Sequence, residues 1–167
     1  MDYRKFLEEK RKLSAEASEK ERQAVMRRGL ELVLESTGEH GVRIHDMMKK
    51  TLLSCSEEEA EVTLAYEVED WELNPNGVMH GGLIGTAIDT ACGMVTRYVS
   101  ENLLASTVSL HVDYLRPVPG GDRLLVTARL VRLGGHVANL RAEARRESDG
   151  KPAALATAVF YLPSPRA

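Results

Sequence analysis

The fold is decided by the segment Asn74-Pro75-Asn76-Gly77-Val78-Met79-His80-Gly81-Gly82, which continues as Leu83-Ile84-Gly85-Thr86-Ala87-Ile88-Asp89. A loop rich in Pro, Asn and Gly leads past one histidine and two glycines into an apolar pattern with a helical period. The pattern predicts a helix from about Gly81 to Ser100. Asp89 is the single carboxylate within it.

The sequence on both sides of this helix is typical of β-strands. Strands are predicted over residues 51–56, 61–69, 107–115, 123–133, 136–147 and 153–162, with turns between the last four. Because strands and helices do not alternate, a doubly wound parallel sheet is disfavoured. The prediction is an α+β fold in which a curved antiparallel sheet wraps one long central helix.

Two of these strands carry more detailed predictions. Residues 153–162 are apolar on both parities, which predicts a central strand covered on both faces. In 107–115 the alternation places Val108, Leu110 and Val112 on the core face. Thr107 then lies on the opposite face, so it can meet Asp89 only if the strand curves or a second subunit contributes.

The bulk composition excludes several classes of protein. The chain has 167 residues, 43% of them hydrophobic, and a formal net charge of -3, which indicates one ordinary globular domain. That charge favours neither nucleic acid nor an anionic membrane. Two isolated cysteines and the absence of a signal-like N-terminus favour a reduced, cytoplasmic protein. The histidines have no metal-ligand spacing, and no phosphate or dinucleotide loop occurs.

The N-terminal region has a different composition from the rest. Residues 2–35 are rich in Glu, Lys, Arg, Ala, Leu and Met, which favours helix. Their apolar positions are sparse in the first half and denser in the second. We therefore predict a solvated or loosely attached first half and a docked second half. The domain boundaries are predicted as an extension over 1–42 and a domain over 43–167.

One face of the central helix is unusually small and polar. It consists of Gly82, Gly85, Thr86, Asp89, Gly93 and Thr96. Its glycines cost helix stability, about 1 kcal/mol each relative to alanine. A small face can serve simply for tight packing on a sheet. However, a carboxylate two turns into an apolar helix is costly unless it has a partner or a task.

His80, Gly81 and Gly82 stand where the helix begins. The first turn of a helix leaves backbone N–H groups unpaired and carries a partial positive charge. Glycines there let a substrate oxygen approach, so the amides can act as an oxyanion hole. His-Gly-Gly alone is a weak motif, but Asn74 six residues before His80 and Asp89 nine after it make the set more specific.

These residues resemble a known family. The pattern Asn74-x-x-Gly77-x-x-His80-Gly81-Gly82, Asp89 within Ala-Ile-Asp-Thr-Ala, and Val-Asp-Tyr-Leu-Arg-Pro at 112–117 is similar to the hotdog-fold acyl-CoA thioesterases. The phenylacetic-acid-degradation branch is the most similar. The resemblance covers about residues 45–162 and is specific only in the central motif.

The resemblance implies a hotdog fold, edge-to-edge dimers that often pair into tetramers, and active sites at the subunit interface. Asp89 would act as nucleophile or as the base that activates water, and the Gly81 amide would polarise the thioester carbonyl. Asn74 and His80 would orient the carbonyl and the loop, with Asn76 as an alternative to Asn74 if the loop shifts by one residue. Thr107 would help to place the water.

The implied substrate is an acyl-CoA, with no separate cofactor and no metal. Gly82 at the helix start, Arg116, and the turn that contains Gly135 and His136 are the candidate contacts to it. Arg116 can equally be an ordinary surface charge, and a structural role is the favoured interpretation of His136. Cys92 lies one turn from Asp89 in apolar surroundings, which identifies it as a core residue and not a nucleophile.

Three functions are consistent with this pattern. The first is an acyl-CoA thioesterase that releases a free acid and coenzyme A. The second is an acyl-thioester hydratase or dehydratase that uses His80 with Asp89. The third is a module that binds acyl-CoA without catalysis. The spacing of His-Gly-Gly to Asp89 favours the thioesterase. No nucleic acid or membrane partner is expected.

Overall fold

The computed structural model describes residues 3–13, 17–37 and 43–163. The helices are α1 (Tyr3–Arg11), α2 (Glu19–Thr37), α3 (Ile44–Met47) and α4 (Gly81–Ser100), with a 3-10 turn at Asp70–Glu72. The strands are β1 (Lys50–Ser56), β2 (Glu61–Glu67), β3 (Ser106–Tyr114), β4 (Arg123–Leu133), β5 (Val137–Arg146) and β6 (Pro152–Tyr161).

The six strands form one antiparallel sheet in the order β1-β2-β4-β5-β6-β3. The long helix α4 packs on β2, β3, β4, β5 and β6. Ile88, Ala91 and Val95 of α4 are fully buried beneath the sheet. The predicted α+β hotdog architecture is therefore confirmed, and the predicted helix over 81–100 matches α4 at both ends.

A β-bulge alters the face that residues of β3 present. Thr107 pairs with Phe160 and Ser109 pairs with Val159, so Val108 is an extra, unpaired residue. An extra residue reverses the alternation of side chains along a strand. As predicted, Leu110 and Val112 pack against the core. Val108 does not, since it is 63% exposed. Thr107 turns towards α4 for the same reason.

The prediction that residues 153–162 form a strand covered on both faces is wrong for the single chain. β6 lies inside the sheet, between β5 and β3. Its inner residues, such as Ala156 and Phe160, are buried against α4, but Leu155 and Tyr161 remain exposed on the outer face. Outward-facing apolar residues in a strand mimic the sequence pattern of burial on both sides.

The prediction of a solvated first half of the extension is also wrong. Tyr3, Phe6 and Leu7 of α1 are buried in the same core as the sheet and α4. Lys10 lies over the ring of Tyr98, 4.1 Å from its centroid. A helix as short as α1 buries three side chains by docking on other elements, so its sparse apolar pattern underestimates its attachment.

The predicted docking of the second half is seen in α2, which lies along the free edge of β1. Glu57 donates its amide to Oε1 of Gln23, at 2.8 Å, and Nε2 of Gln23 donates to the carbonyl of Cys55. The Gln23 amide thus pairs with the edge as a strand would, which protects an otherwise open edge. The predicted domain boundary falls at residues 38–42, which lie outside the described residues.

Within the described ranges, no helix is both long and apolar enough to cross a membrane.

Candidate active site

The start of α4 is shaped by His80. It is the N-cap residue, and its Nδ1 accepts the amide of Gly82 at 3.0 Å. This bond satisfies one of the orphan amides of the first turn. The amide of Gly81 has no acceptor among the described residues. The first turn therefore leaves the N–H of Gly81 available to an external oxygen, while the predicted role of Gly82 is reduced because its amide is occupied.

Tyr114 of β3 closes one side of this helix start. Its hydroxyl donates to the carbonyl of Gly81 at 2.8 Å. A Cβ on Gly81 would lie 3.4 Å from the tyrosine ring, and one on Gly85 would lie 3.6 Å from the hydroxyl. These are ordinary contact distances, so the tyrosine packs against both glycines without depending on the absence of a side chain there. The sequence analysis missed Tyr114, although it lies within the recognised segment 112–117.

The loop before the helix is held by Asn74. Its Oδ1 accepts the amide of Asn76 at 2.9 Å, and its backbone pairs with Val78. Gly77 has a positive φ of 73°, which glycine adopts without strain. The Asn74 carbonyl oxygen is therefore engaged in its own turn. Asn76 contributes its backbone amide, and its side chain is exposed.

Asp89 and Thr107 meet within a single chain. The Thr107 hydroxyl donates to Oδ1 of Asp89 at 2.7 Å. The bulge at Val108 makes this contact possible. A hydrogen bond to a carboxylate is stronger than one between neutral groups and fixes the orientation of the carboxyl group. No described residue donates to Oδ2, which is therefore the oxygen available to a water molecule.

A cavity of about 300 Å³ opens beside this pair. It is lined by Val33, Leu34, His45, Lys50, Asp89, Thr90, Gly93, Met94, Arg97, Ala105, Ser106, Thr107 and Phe160. One wall belongs to α2, so the N-terminal extension helps to form the cavity. The other walls are α3, the start of β1, α4, the loop before β3, and the two neighbouring strands β3 and β6.

His45 is a site residue to which the sequence analysis assigned no role. It lies in the short helix α3, and its Nδ1 lies 3.4 Å from the Thr90 hydroxyl. Burial and the nearby charges of Lys50 and Arg97 lower the pKa of His45, while Asp89 opposes that shift. Nothing in the local sequence marks it, because its position depends on how α3 folds against α4.

One chain does not bring the two halves of the predicted site together. Gly81 and Asp89 are eight residues apart on one helix, about 12 Å along its axis. None of the residues 74–82 lines the cavity beside Asp89. One chain contains both half-sites, but Gly81 lies at the start of α4 and Asp89 lies two turns further along it.

The other candidate contacts lie at opposite ends of the sheet. Arg116 donates to the carbonyl of Pro152 at 2.9 Å, at the end of the sheet where Tyr114 meets Gly81. Gly135 lines a depression with Ser100 and Glu101, at the C-terminal end of α4. His136 accepts the amide of Leu162 through its carbonyl at 2.8 Å. A single chain therefore does not gather Arg116, Gly135 and His136 around one small ligand.

Two further features bear on the chemistry. Cys92 is fully buried, and burial raises the pKa of its thiol to about 12, which agrees with the prediction of a core residue. Among the described residues, no group of three or more His, Cys, Asp and Glu side chains is arranged to hold a metal ion.

The sequence was compared with known families and proteins. The model of the thioesterase superfamily matches residues 76–153, which include the helix start, Asp89 and Thr107. A Deinococcus radiodurans protein named as an esterase is 31% identical over 110 residues, which are 66% of this chain and 72% of that protein. The chain belongs to the thioesterase superfamily.

Other members of the superfamily are named for acyl-CoA hydrolysis. The medium/long-chain acyl-CoA thioesterase YigI of Salmonella typhimurium is 39% identical over an alignment of 99 positions, gaps included, that covers 51% of this chain and 63% of that protein. The matched part of the chain is thus less than two thirds of the length of that relative.

Solved structures of the superfamily share the fold. The mutant structure of the phenylacetic acid degradation protein PaaI from Thermus thermophilus is 28% identical, with a TM-score of 0.62, and covers 70% of this chain and 95% of that one. A Streptococcus mutans protein bound to acetyl-CoA is 26% identical, with a TM-score of 0.64, and covers 77% and 98%. The predicted likeness to the phenylacetic-acid-degradation branch is confirmed.

Proposed function

We propose that this protein is an acyl-CoA thioesterase that hydrolyses its substrate to a free carboxylic acid and coenzyme A. The observation that carries the proposal is the Asp89 carboxylate, held by Thr107 at 2.7 Å beside a cavity in a thioesterase superfamily fold. A relative named as an acyl-CoA thioesterase and a neighbouring structure bound to acetyl-CoA support the substrate class.

Hydrolysis needs an oriented water and a place for negative charge. In the proposed reaction Oδ2 of Asp89 takes a proton from water as the water oxygen bonds to the thioester carbon. The carbonyl electron pair moves to its oxygen, which accepts the Gly81 amide at the positive end of α4. Collapse of this intermediate breaks the carbon–sulfur bond, and the departing thiolate takes up the proton from Asp89, which restores the carboxylate.

We propose that the two halves of the site come from two subunits. Within one chain the Gly81 amide and the Asp89 carboxylate are about 12 Å apart along the helix, which is too far for both to act on one carbonyl group. A symmetric dimer places the helix start of one subunit opposite Asp89 of the other, twice. The single chain also leaves β3 as an unpaired edge strand with Val108 exposed, which is suited to pairing with a second copy.

The first test is the Asp89→Asn variant. It keeps the shape of the side chain and the contact with Thr107 but removes the base. We expect release of free thiol from acyl-CoA to fall by at least ~100-fold, the scale for a positioned acid–base group. Thermal unfolding checks that the fold is intact. Unchanged thiol release in this variant would show that Asp89 is not the base.

A second test isolates the Gly81 amide. His80 has φ -62° and ψ 132°, a conformation that a following proline accepts, and proline is well tolerated at the first helical position. Gly81→Pro therefore removes the N–H and adds a ring while the backbone conformation is kept. Gly81→Ala is the matched control, since it adds a Cβ but keeps the N–H. We expect kcat to fall by about 100-fold in the proline variant relative to the alanine variant.

Equal rates in the two Gly81 variants would remove this amide from the mechanism. Hydration of an enoyl-CoA without thiol release would assign the protein to the hydratases. Tight binding of acyl-CoA with neither hydrolysis nor hydration would indicate a module that binds acyl-CoA without catalysis.

A further inference from the structure

The cavity beside Asp89 contains two cationic side chains that the proposed reaction does not use. They are Lys50, at the start of β1, and Arg97, two turns beyond Asp89 on α4. Among the described residues that line the cavity, Asp89 is the only one with a carboxylate. The lining therefore has more positive than negative charge.

Arg97 has no partner in the described part of the chain. Its Nε is buried and makes no hydrogen bond, and none of the described ion pairs includes it. Glu101, one turn further along α4, is already bound by Lys10 at 3.2 Å and by Arg11 at 2.6 Å. A buried donor without an acceptor is rare and costs stability, so it calls for an explanation.

Lys50 is better satisfied. Its ammonium group donates to the carbonyl of His45. Burial lowers the pKa of Lys50, and the nearby carboxylate of Asp46 opposes that shift. The low pKa of His45, which Lys50 and Arg97 help to produce, is consistent with a positive potential in the cavity. Of the two cations, Arg97 is thus the one without a hydrogen-bond acceptor among the described residues.

The cavity has the size and walls of a site for a short chain. Val33 and Leu34 of α2, with Met94 and Phe160, provide apolar surface. A volume of about 300 Å³ has room for roughly ten non-hydrogen groups, at the ~30 Å³ that one water occupies in the liquid. The nucleotide part of coenzyme A is several times larger than that and does not fit.

We propose that this cavity receives the acyl group and that Arg97 binds a carboxylate at the far end of that group. The inference rests on the proposed thioesterase function and narrows its substrates to thioesters of short dicarboxylic acids. Asp89 and Arg97 are eight residues apart, about 12 Å along the helix, and helical side chains lean back towards the N-terminus. A chain of four to six carbons is therefore the expected length.

Matched pairs of substrates test the proposal. Glutaryl-CoA against pentanoyl-CoA, and adipyl-CoA against hexanoyl-CoA, differ chiefly in the terminal carboxylate. Affinity is measured by titration calorimetry on the full chain with Asp89→Asn, which prevents turnover. We expect the carboxylated member to bind at least ~10-fold more tightly, as a charge-assisted hydrogen bond allows.

Arg97→Met in the same background should reduce that preference to about onefold, and Arg97→Lys should retain part of it. Arg28→Met is the matched control, because Arg28 is an exposed arginine on α2 that pairs with Glu35 at 3.2 Å. The Arg28→Met variant should prefer the carboxylated member of each pair as strongly as the Asp89→Asn parent does. Thermal unfolding of each variant confirms the fold.

The outcomes separate this proposal from the proposed function. No preference in the parent, or a preference that survives Arg97→Met, would overturn it. Equal weakening of both members by Arg97→Met would also overturn it, since Arg97 would then bind the coenzyme A part that they share. A preference that depends on Arg97, in a protein whose wild type releases no thiol, would support the anion site and refute only the hydrolysis.

Discussion

At the scale of single residues, the contact between Thr107 and Asp89 depends on one extra residue in β3. Without the bulge at Val108, the alternation along β3 would turn Thr107 away from α4. With the bulge, its hydroxyl fixes Oδ1 of Asp89 at 2.7 Å. The position of the carboxylate is thus set by the irregularity of a strand.

Thr107→Val should therefore lower kcat with little change in KM. The variant keeps the shape of the side chain but leaves Asp89 without its donor, so the carboxylate is less well oriented. Loss of a hydrogen bond to a charged group is worth about 1.5–3 kcal/mol, and we expect a fall of about 10-fold or more. Thr107→Ser keeps the hydroxyl and should retain most of the activity. Equal rates in the valine and serine variants would show that the hydroxyl is dispensable.

The two cysteines should differ in reactivity. Burial raises the pKa of both thiols, and that of Cys92 reaches about 12, but Cys92 is fully buried while Cys55 is half-buried. Because the thiolate is the reactive form, Cys92 should stay unlabelled by iodoacetamide until the protein unfolds. Peptide mass spectrometry before and after denaturation measures this. Labelling of Cys92 before Cys55 would show that α4 is not packed as described.

At the scale of elements, several glycines lie where the helices contact their neighbours. Gly93 lies against Phe160 of β6, and Gly81 and Gly85 lie against Tyr114 of β3. The small face of α4 thus serves packing on the sheet as well as the site. Gly29 of α2 has the same function towards α1, since a Cβ there would lie 2.5 Å from the ring of Phe6.

Gly29→Ala should have opposite effects in two backgrounds. In the wild type the added methyl group collides with Phe6, and overpacking costs about 1–3 kcal/mol, more than the ~1 kcal/mol that alanine gains over glycine in a helix. With Phe6→Ala the collision disappears, so the same change should stabilise the protein by up to ~1 kcal/mol. Denaturant unfolding of the wild type, the two single variants and the double variant gives a double-mutant cycle. If Gly29→Ala changed the free energy of unfolding in the same direction in both backgrounds, Phe6 would not lie against Gly29 and α1 would not pack as described.

At the scale of the whole molecule, the proposed mechanism requires a second chain. Gly81 and Asp89 each stand on the same rigid helix, and no local motion of α4 brings them to one carbonyl group. In the proposed mechanism, charge stabilisation by Gly81 and water activation by Asp89 therefore come from different subunits.

Mixed dimers test this separation. Gly81→Pro and Asp89→Asn chains, each inactive alone, are co-expressed with different tags, and the mixed dimer is isolated by two affinity steps. One of its two sites then combines both intact halves, so its activity should be about half that of the wild-type dimer. Each variant alone is the control. An inactive mixed dimer would show that every site draws both halves from one chain.

Much of the candidate site could be located from residues 74–89 because its determinants are local. Helix geometry alone places His80 and the two glycines at the capped start of α4. It also places Asp89, nine residues after the histidine, on the body of the same helix. The ends of α4 and the bounds of β4 follow from the same short-range patterns. Amphipathic periodicity likewise fixed the antiparallel class, since no alternation of strands and helices was present.

Other features depend on contacts between distant parts of the chain. The burial of α1, the open outer face of β6, the bulge at Val108, and the cavity in which α2 and α3 bring Leu34, His45 and Lys50 close to Asp89 and Arg97 are all of this kind. Periodicity assigns a residue to a face of its own element, but it contains no information on what covers that face. The sequence by itself determined the helix, its first turn and its carboxylate. Only the tertiary structure decided that Thr107 reaches Asp89 and that an arginine without a partner among the described residues lies in the same cavity. Both depend on packing across 18 or more residues of chain or on the register of paired strands.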